Sequence, residues 1–203
     1  MKIFDVSAYQ GKLNIEKLGD DPEVAGIIFR TTVKAGNIDG CYKMYINDAI
    51  NERARGGFKY IAGYKFAYSR TYYEAFLECM QTLMTLKDTG TLYDLDHFYL
   101  DLEDWSSRPY TTSEANEVIK GYMDACREME VPFGLYFNLN YLRNIVDKRW
   151  RFLPLWVARY NTVLGDTTPW SPWLWQCSSA GTHEGIEKTV DVNEVLNNEY
   201  LHG

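Results

Sequence analysis

Long apolar runs, basic clusters and closely spaced cysteines are all missing from this chain of 203 residues. No stretch approaches the roughly 18 uninterrupted apolar residues that cross a bilayer, so we expect no membrane span. The 21 lysines and arginines are outnumbered by 28 acidic residues, giving a net charge of −7, and they form no stripe. Because nucleic-acid binders normally carry a basic surface, nucleic acid is not an expected partner.

Recognisable metal and cofactor motifs are missing as well. The four cysteines form no C-x-x-C pair, and the three histidines form no H-E-x-x-H motif. A phosphate-binding loop, a dinucleotide fingerprint and a nucleophile elbow do not occur either. The sequence therefore predicts no metal site and no cofactor. Cys79 and Cys126 fall in helical patterns and are expected to be packing residues rather than parts of a disulfide framework.

The N-terminus carries no pattern of a signal peptide. Residues 1–5 lead directly into a predicted strand, without an apolar segment or a cleavage site. We therefore expect the protein to be synthesised in the cytoplasm, so that any action outside the cell requires release by another route.

The composition is that of a globular protein with many aromatic residues. Hydrophobic residues make up 46% and charged residues 24%, which is sufficient for one domain with a full core. Aromatic residues make up 15%, with 16 tyrosines and 6 tryptophans. Aromatic rings stack on sugar rings and also fill cores, so the composition is compatible with either use.

Apolar strands alternate with helical patterns until the last third of the chain. The predicted strands are Ile3–Ser7, Val24–Thr31, Tyr60–Phe66, Phe98–Leu102, Phe133–Phe137, Leu155–Ala158, Trp173–Gln176 and Thr189–Val192. The predicted helices are Cys41–Arg55, Tyr72–Lys87, Ser113–Met129 and Asn140–Arg149. This alternation favours a parallel sheet covered by helices, either doubly wound or closed into a barrel. A typical eight-stranded barrel has about 250 residues, so a barrel of this length would lack some helices, as the helix-poor last third suggests.

Two acidic residues lie one residue apart at the end of an apolar strand. Residues 97–104 read H-F-Y-L-D-L-E-D, and side chains two apart on a strand share a face, so Asp101 and Glu103 point the same way. Hydrolysis of a glycosidic bond uses such a pair, one carboxyl protonated to donate and one ionised to stabilise positive charge. Solvated acids that cap the next helix are the alternative explanation.

The other predicted strand ends bring further polar and aromatic residues to the same edge, since chemistry in these folds gathers at the carboxyl ends of the strands. Asp5 and Asp191 add two acids, and like charges in one cleft raise at least one pKa, as a general acid requires. Arg30 could instead pair with an acid and Trp156 could belong to the core. The residues expected to contact a substrate are Arg30, Tyr64, Phe66, Tyr136, Asn138, Trp156, Tyr160, Trp175 and Gln176.

Several segments resemble the family 25 glycoside hydrolases, the phage and fungal (Chalaropsis-type) lysozymes. Asp5–Gly11 resembles the opening D-V-S-x-x-Q-G of that family. Gly63–Ala67 is similar to its G-x-Y-H-F-A segment, and Leu100–Glu103 resembles its strand with the D-x-E pattern.

The later segments follow in the same order. Trp156–Tyr160 resembles the family's W-x-A-x-Y strand, the pair at residues 175–176 its W-Q, and Val190–Asn193 its closing V-D-x-N. The chain departs from the pattern at Lys65, where a histidine is usual, and at Cys177, where an aromatic residue commonly follows. We expect Lys65 to face away from the acids or to pair with another carboxylate, because an inward cation would lower the pKa of Glu103.

The resemblance implies an irregular TIM-like α/β barrel, (β/α)5(β)3, with eight strands and about five helices. It implies a lysozyme that cleaves the β-1,4 bond between N-acetylmuramic acid and N-acetylglucosamine in peptidoglycan glycan strands. Glu103 would be the proton donor and Asp101 the second catalytic carboxylate, with Asp5 and Asp191 as supporting acids. A retaining route assisted by the 2-acetamido group is favoured over an inverting one, although the spacing alone permits both.

The expected setting is a phage endolysin, with residues 1–203 forming one catalytic domain and no separate wall-binding module. A holin would release it to the bacterial cell wall; a bacterial lysin exported by another route is the alternative origin. The sequence leaves the oligomeric state, the host and the pH optimum open. Two other functions remain, a non-catalytic protein that binds cell-wall sugars and a chitinase-like glycosidase.

Overall fold

A computed structural model describes residues 1–34, 36–103 and 108–201 of the chain. Its described residues form eight strands that close into one barrel in chain order. The strands are β1 (Lys2–Val6), β2 (Val24–Arg30), β3 (Tyr60–Phe66), β4 (His97–Asp101), β5 (Phe133–Asn138), β6 (Leu155–Ala158), β7 (Leu174–Gly181) and β8 (Val190–Val195). The α-helices are α1 (Ile15–Gly19), α2 (Gly40–Ala54), α3 (Tyr72–Asp88), α4 (Thr112–Glu128) and α5 (Leu139–Asn144).

The barrel is parallel except at its closing strand. Strands β1 to β7 pair in parallel with their neighbours in sequence, whereas β8 runs antiparallel to both β7 and β1. A connection between β7 and β8 can therefore be a hairpin without a helix, which explains why the last third has few helices. The predicted TIM-like barrel with eight strands and about five helices is confirmed.

Alternation along each strand divides the apolar residues into two cores. The smaller core fills the barrel and includes Ile28, Tyr60, Tyr99 and Trp156. The larger core lies between the strands and the surrounding helices. Because both faces of most strands are buried, the strands read as nearly continuous apolar runs.

Helix caps fix where the two long helices start. Thr71 caps α3 and Thr111 caps α4, and in each case a glutamate three residues later completes a capping box. The predicted start of α4 at Ser113 is therefore one residue late. Both helices turn an apolar face toward the barrel and pack against each other.

The structure corrects the sequence prediction in three places. The predicted helix over Asn140–Arg149 is wrong, because α5 ends at Asn144 and a separate 3-10 turn covers Lys148–Trp150 under an Asp147 cap. The short helix α1 was not predicted, since five residues carry too little periodicity. Strands β7 and β8 both continue beyond their predicted ends. In the described ranges no helix is long and apolar enough to cross a membrane.

Candidate active site

Asp101 points to the inside of the barrel at the carboxyl end of β4, and Glu103 lies two residues beyond the end of this strand. Tyr99 belongs to the inner core, and the alternating residues Phe98 and Leu100 belong to the outer core, so Asp101 continues the inner face. Asp101 is 6% exposed and Glu103 is partly buried. The charge of Glu103 raises the pKa of Asp101, so the two carboxyl groups lie near each other, and their common face stays a prediction.

The Asp101 carboxyl group is buried without full hydrogen bonding. Its Oδ1 atom is inaccessible to solvent and accepts no hydrogen bond from the described residues. Burial raises the pKa of Asp101 well above its usual value, and the negative charges of Glu103 and Asp5 raise it further. Arg30 and Lys65 act in the opposite direction and lower this pKa.

Asp5 and Asp191 form a second pair of carboxyl groups in the cleft. They are direct partners in the register of β1 and β8. Asp5 is 4% exposed, and its burial, followed by the charge of Asp191, raises its pKa to about 8. Burial also raises the pKa of Asp191, while its hydrogen bond with Asp5 lowers it. Burial and the charge of Asp191 therefore favour the protonated form of Asp5.

The location of Asp191 follows from strand direction. The sequence placed it near the carboxyl end of its strand, but it is the second residue of β8. Because β8 is antiparallel, its amino end lies at the rim where the other strands have their carboxyl ends. Asp191 thus joins the other acids for a different reason from the one expected.

Gln176 connects Asp5 to two tyrosines. Its Nε2 donates to Asp5 Oδ2 at 3.0 Å, and its Oε1 accepts from the hydroxyls of Tyr136 at 2.8 Å and Tyr160 at 3.0 Å. The two phenol donors fix the orientation of the amide, because only the nitrogen can then face Asp5. Gln176 is 2% exposed, so it holds the Asp5 carboxyl group from inside the barrel rather than from the surface.

Asn193 is a functional-site residue that the sequence analysis did not select. Its Nδ2 donates to Asp5 Oδ2 at 2.8 Å and to the Ile3 carbonyl at 2.9 Å, and its Oδ1 accepts from Trp156 Nε1 at 2.7 Å. Asn193 is fully buried. The available signal was its position two residues after Asp191 on the same strand, which puts both side chains on one face.

Two of the nine expected substrate contacts do not line the cleft. Trp156 is 1% exposed and packs against Tyr136 at 4.4 Å between ring centroids, so it forms the floor beneath the acids. Trp175 points to the outer core, where its Nε1 donates to the Arg159 carbonyl at 2.9 Å. Trp156 thus belongs to the barrel core, as the alternative explanation held, and Trp175 lies on the outer face of β7.

The remaining expected contacts lie at the rim with different local roles. Arg30 forms an ion pair with Asp39 at 2.6 Å, and Asp39 also accepts from the Ala8 and Cys41 backbone amides. Arg30 thus pairs with an acid, as the alternative explanation held, while its side chain stays one third exposed. Asn138 caps α5 by accepting from the Tyr141 amide.

Aromatic residues complete the walls of the cleft. Tyr64 and Phe66 are partly buried and share the inner face of β3, and the Tyr64 ring meets Trp156 edge-on at 6.1 Å. Tyr160 is 58% exposed, which leaves most of its ring available to a ligand. The cleft therefore combines four carboxyl groups with tyrosine and phenylalanine rings above a tryptophan floor, an arrangement that can hold a sugar ring and transfer a proton to it.

Comparisons with known proteins match the chain to one family of enzymes. The model of the glycosyl hydrolases family 25 matches residues 4–186. No curated protein sequence matches the chain. The modular autolysin LytC from Streptococcus pneumoniae, solved with a synthetic peptidoglycan ligand, has a TM-score of 0.77 and 24% identity, covering 95% of this chain and 46% of that chain. This chain thus spans about half the length of the autolysin.

Two further solved structures share the fold. The spore cortex lytic enzyme SleM from Clostridium perfringens has a TM-score of 0.81 and 18% identity, covering 99% of this chain and 69% of that chain. The catalytic domain of endolysin ply40, from bacteriophage P40 of Listeria monocytogenes, has a TM-score of 0.74 and 18% identity, covering 98% of this chain and 95% of that chain.

Proposed function

Since the chain belongs to glycosyl hydrolase family 25, we propose that it is a peptidoglycan hydrolase that cleaves the β-1,4 bond between N-acetylmuramic acid and N-acetylglucosamine. The observation that carries the proposal is the buried Asp101 carboxyl group at the rim of the barrel, whose pKa is raised by burial and by the nearby charges of Glu103 and Asp5, with Asp191 beside Asp5. The ligand of the autolysin LytC, a synthetic peptidoglycan, supports this class of substrate.

Each acid has a distinct role in the proposed reaction. Glu103, which is less buried than Asp101, is the proton donor to the leaving oxygen. Asp101 is the carboxylate that faces the acetamido group of the muramic acid. Asp5 and Asp191 lie beside each other on β1 and β8. Because burial raises the pKa of both carboxyl groups, they add less negative charge to the cleft than two free carboxylates would.

The state of Asp101 favours a substrate-assisted, retaining route. Its Oδ1 has no partner among the described residues, so the N–H of a bound acetamido group would supply the missing hydrogen bond once a rotation of the Asp101 side chain brings this buried atom to the cleft. This hydrogen bond would favour the ionised form of Asp101 and oppose the effect of burial. The acetamido oxygen then attacks the anomeric carbon while Asp101 stabilises the oxazolinium charge. In the rival inverting route, Asp101 or another acid activates water instead.

The proposed place of action is the bacterial cell wall. The protein is a phage endolysin that is made in the cytoplasm and reaches the wall after a holin permeabilises the membrane. The similarity to the catalytic domain of endolysin ply40 supports this setting.

Digestion of purified peptidoglycan, followed by mass spectrometry of the fragments, tests the proposal. Muramic acid at the new reducing ends is the expected result. Glucosamine at those ends, or release of sugars from chitin, would instead assign a chitinase-like specificity. Binding to the wall without any fragment release would identify a sugar-binding protein. The Glu103→Gln protein, treated in parallel, reports any contaminating activity.

A further inference from the structure

Two cysteine side chains meet between the helices α3 and α4. Cys79 of α3 and Cys126 of α4 are both fully buried in the outer core, and their sulfur atoms lie 3.8 Å apart. The Sγ atom of Cys79 also lies 3.8 Å from the carbonyl oxygen of Tyr122, which is one helical turn before Cys126. Both thiols are free in the structure. Because the two sulfurs are in direct contact, a bond between them requires no rearrangement of the fold.

A glycine sets how closely the two helices approach each other. A Cβ atom at Gly121 would lie 2.6 Å from the Tyr72 carbonyl oxygen and 2.8 Å from the Ala75 Cβ, so a larger residue could not occupy this position. Cys79 follows Ala75 by one helical turn. Cys126 follows Gly121 by five residues, and the two helices run in the same direction because each connects two parallel strands. The sulfur contact therefore lies next to the point where the two backbones come closest.

The step from contact to bond is small, and it affects the strand that bears the proposed catalytic acids. A sulfur–sulfur bond is about 2.0 Å long, so the two atoms approach by roughly 1.8 Å, which side-chain rotation and a small helix shift provide. The bond closes a loop over residues 79–126, which contains β4 with Asp101 and then Glu103. Since α3 leads into β4 and α4 follows it, the bond ties together the two helices that flank this strand.

Burial makes the pair slow to react in the folded protein. It raises the pKa of the Cys79 thiol well above its usual value, and the neighbouring Cys126 and the charge of Glu78 raise this pKa further. Thiol–disulfide exchange proceeds through the thiolate, so few molecules are reactive while the helices stay packed. The reaction therefore requires a local opening of the contact between α3 and α4, or folding in an oxidising medium.

We propose that Cys79 and Cys126 form an oxidative modification site, at which a low-molecular-weight disulfide converts the two thiols into a covalent bond between α3 and α4. One protein thiolate attacks the external disulfide and releases one thiol, leaving a mixed disulfide. The second protein thiolate then displaces the remaining half as a second thiol. The two protons of the protein thiols end on the two released thiols, so atoms and electrons balance.

This inference goes beyond the proposed function and does not depend on it. The proposed place of action, the bacterial cell wall, lies outside the cytoplasm, where thiols are no longer kept reduced. Closure of the loop over residues 79–126 restricts the unfolded chain, so the oxidised protein should be the more stable form. The site acts on the stability of the barrel and contributes no group to the reaction.

Incubation of the native protein with oxidised glutathione tests the proposal. After the remaining thiols are alkylated, trypsin without reduction releases Cys79 in residues 71–87 and Cys126 in residues 121–127, since each segment lies between two cleavage sites. The expected product is this pair of peptides, linked, with a mass lower by two hydrogen atoms than their sum. The oxidised protein should melt at a temperature higher by roughly 5 °C or more, and dithiothreitol should reverse the shift.

Variants separate this pair from the other two cysteines. The double variant Cys41→Ala, Cys177→Ala keeps only the pair and should give the same linked peptides and the same rise in melting temperature. Cys126→Ala removes one partner and should give neither. Should Cys126→Ala fail to fold, the peptide map of the double variant still decides, because its only remaining thiols are those of Cys79 and Cys126.

Three outcomes would overturn the proposal. These are glutathione adducts on Cys79 or Cys126 without a link, unreacted thiols at both positions, and a link that lowers the melting temperature. A series at low urea concentration, below the unfolding transition, speeds the opening of the helices, so that a slow reaction is told apart from none. The measurement uses no substrate, so a wild-type protein without lytic activity would overturn the proposed function and leave this result intact.

Discussion

Asp5 and Asp191 are direct partners in the antiparallel pair of β1 and β8 that closes the barrel. Gln176 and Asn193 both donate to Asp5 Oδ2, which ties Asp5 to β7 and β8. Burial and the like charge of Asp191 oppose ionisation of Asp5, so we expect Asp5 to keep its proton to higher pH than a free carboxyl group would. The ionisation of Asp5 thereby links the stability of the barrel to pH.

Asp5→Asn should remove part of the pH dependence of stability. The folded pKa of Asp5, about 8, is raised above the ordinary value of 3.8, so the stabilising contribution is complete below 3.8 and is lost as pH rises through about 8. Each pH unit in this window costs the wild type up to about 1.4 kcal/mol, whereas asparagine, which imitates the protonated acid, has no such slope.

Urea unfolding near pH 3.8 and near pH 8, the two ends of that window, measures how the unfolding free energy of each protein changes with pH. Asp191→Asn is the matched control, because it removes the anion that raises the Asp5 pKa and should move the window to lower pH. If the free energy of unfolding changes with pH by the same slope in the wild type and in Asp5→Asn, the raised pKa of Asp5 is contradicted.

Glu103→Gln should abolish lysis while leaving the barrel folded. Removal of a general acid typically costs 10² to 10⁴-fold in rate, roughly the loss expected here. Turbidity loss of cell walls measures the activity, and circular dichroism checks the fold. Glu128→Gln, at the exposed end of α4, is the matched control and should lyse like the wild type. Lysis by Glu103→Gln within about threefold of the wild type would remove Glu103 from the donor role.

The stereochemistry of the fresh product distinguishes the two routes. Substrate assistance by the acetamido group predicts a product that retains the β configuration, because the anomeric carbon is displaced twice. Proton NMR of the reducing end, recorded before mutarotation, measures it. An α product would end the substrate-assisted proposal and assign water activation to Asp101 or another acid.

Gln176→Leu and Trp175→Phe compare the inner and outer faces of β7. Leucine leaves the Tyr136 hydroxyl without its partner, at about 1–3 kcal/mol for the buried group, and removes one of the two amide donors to Asp5, so it should lower kcat/KM. Phenylalanine loses one bond to the Arg159 carbonyl and should lower stability while kcat/KM stays within about threefold. Equal losses of kcat/KM in the two variants would contradict the assigned faces.

Much of the fold was predictable because buried strands are apolar on both sides. The stretch Tyr60–Phe66 and the stretch Leu155–Ala158 were predicted with their observed limits. The helix after β5 was not, because its pattern continues past the point where Asp147 caps a separate turn. Local hydrogen bonds of this kind interrupt a helix without changing the hydrophobic period.

The expected site residues were also predictable only in part. Trp175 and Gln176 are consecutive on a strand, so they must point to opposite faces and only one can reach the cleft. The sequence does not say which one, because both are compatible with either environment. The structure gives the inner face to Gln176, where the phenols of Tyr136 and Tyr160 satisfy its amide oxygen.

By itself the sequence determined the alternation of strands and helices and the strand that ends at Asp101, since these depend on the apolar period along the chain, whereas the closed barrel was implied by the resemblance to family 25. Only the tertiary structure decided that β8 runs antiparallel and that Asp5 lies beside Asp191. Those relationships join residues far apart in the chain, and their energies arise from burial and charge at distances that only the closed barrel sets.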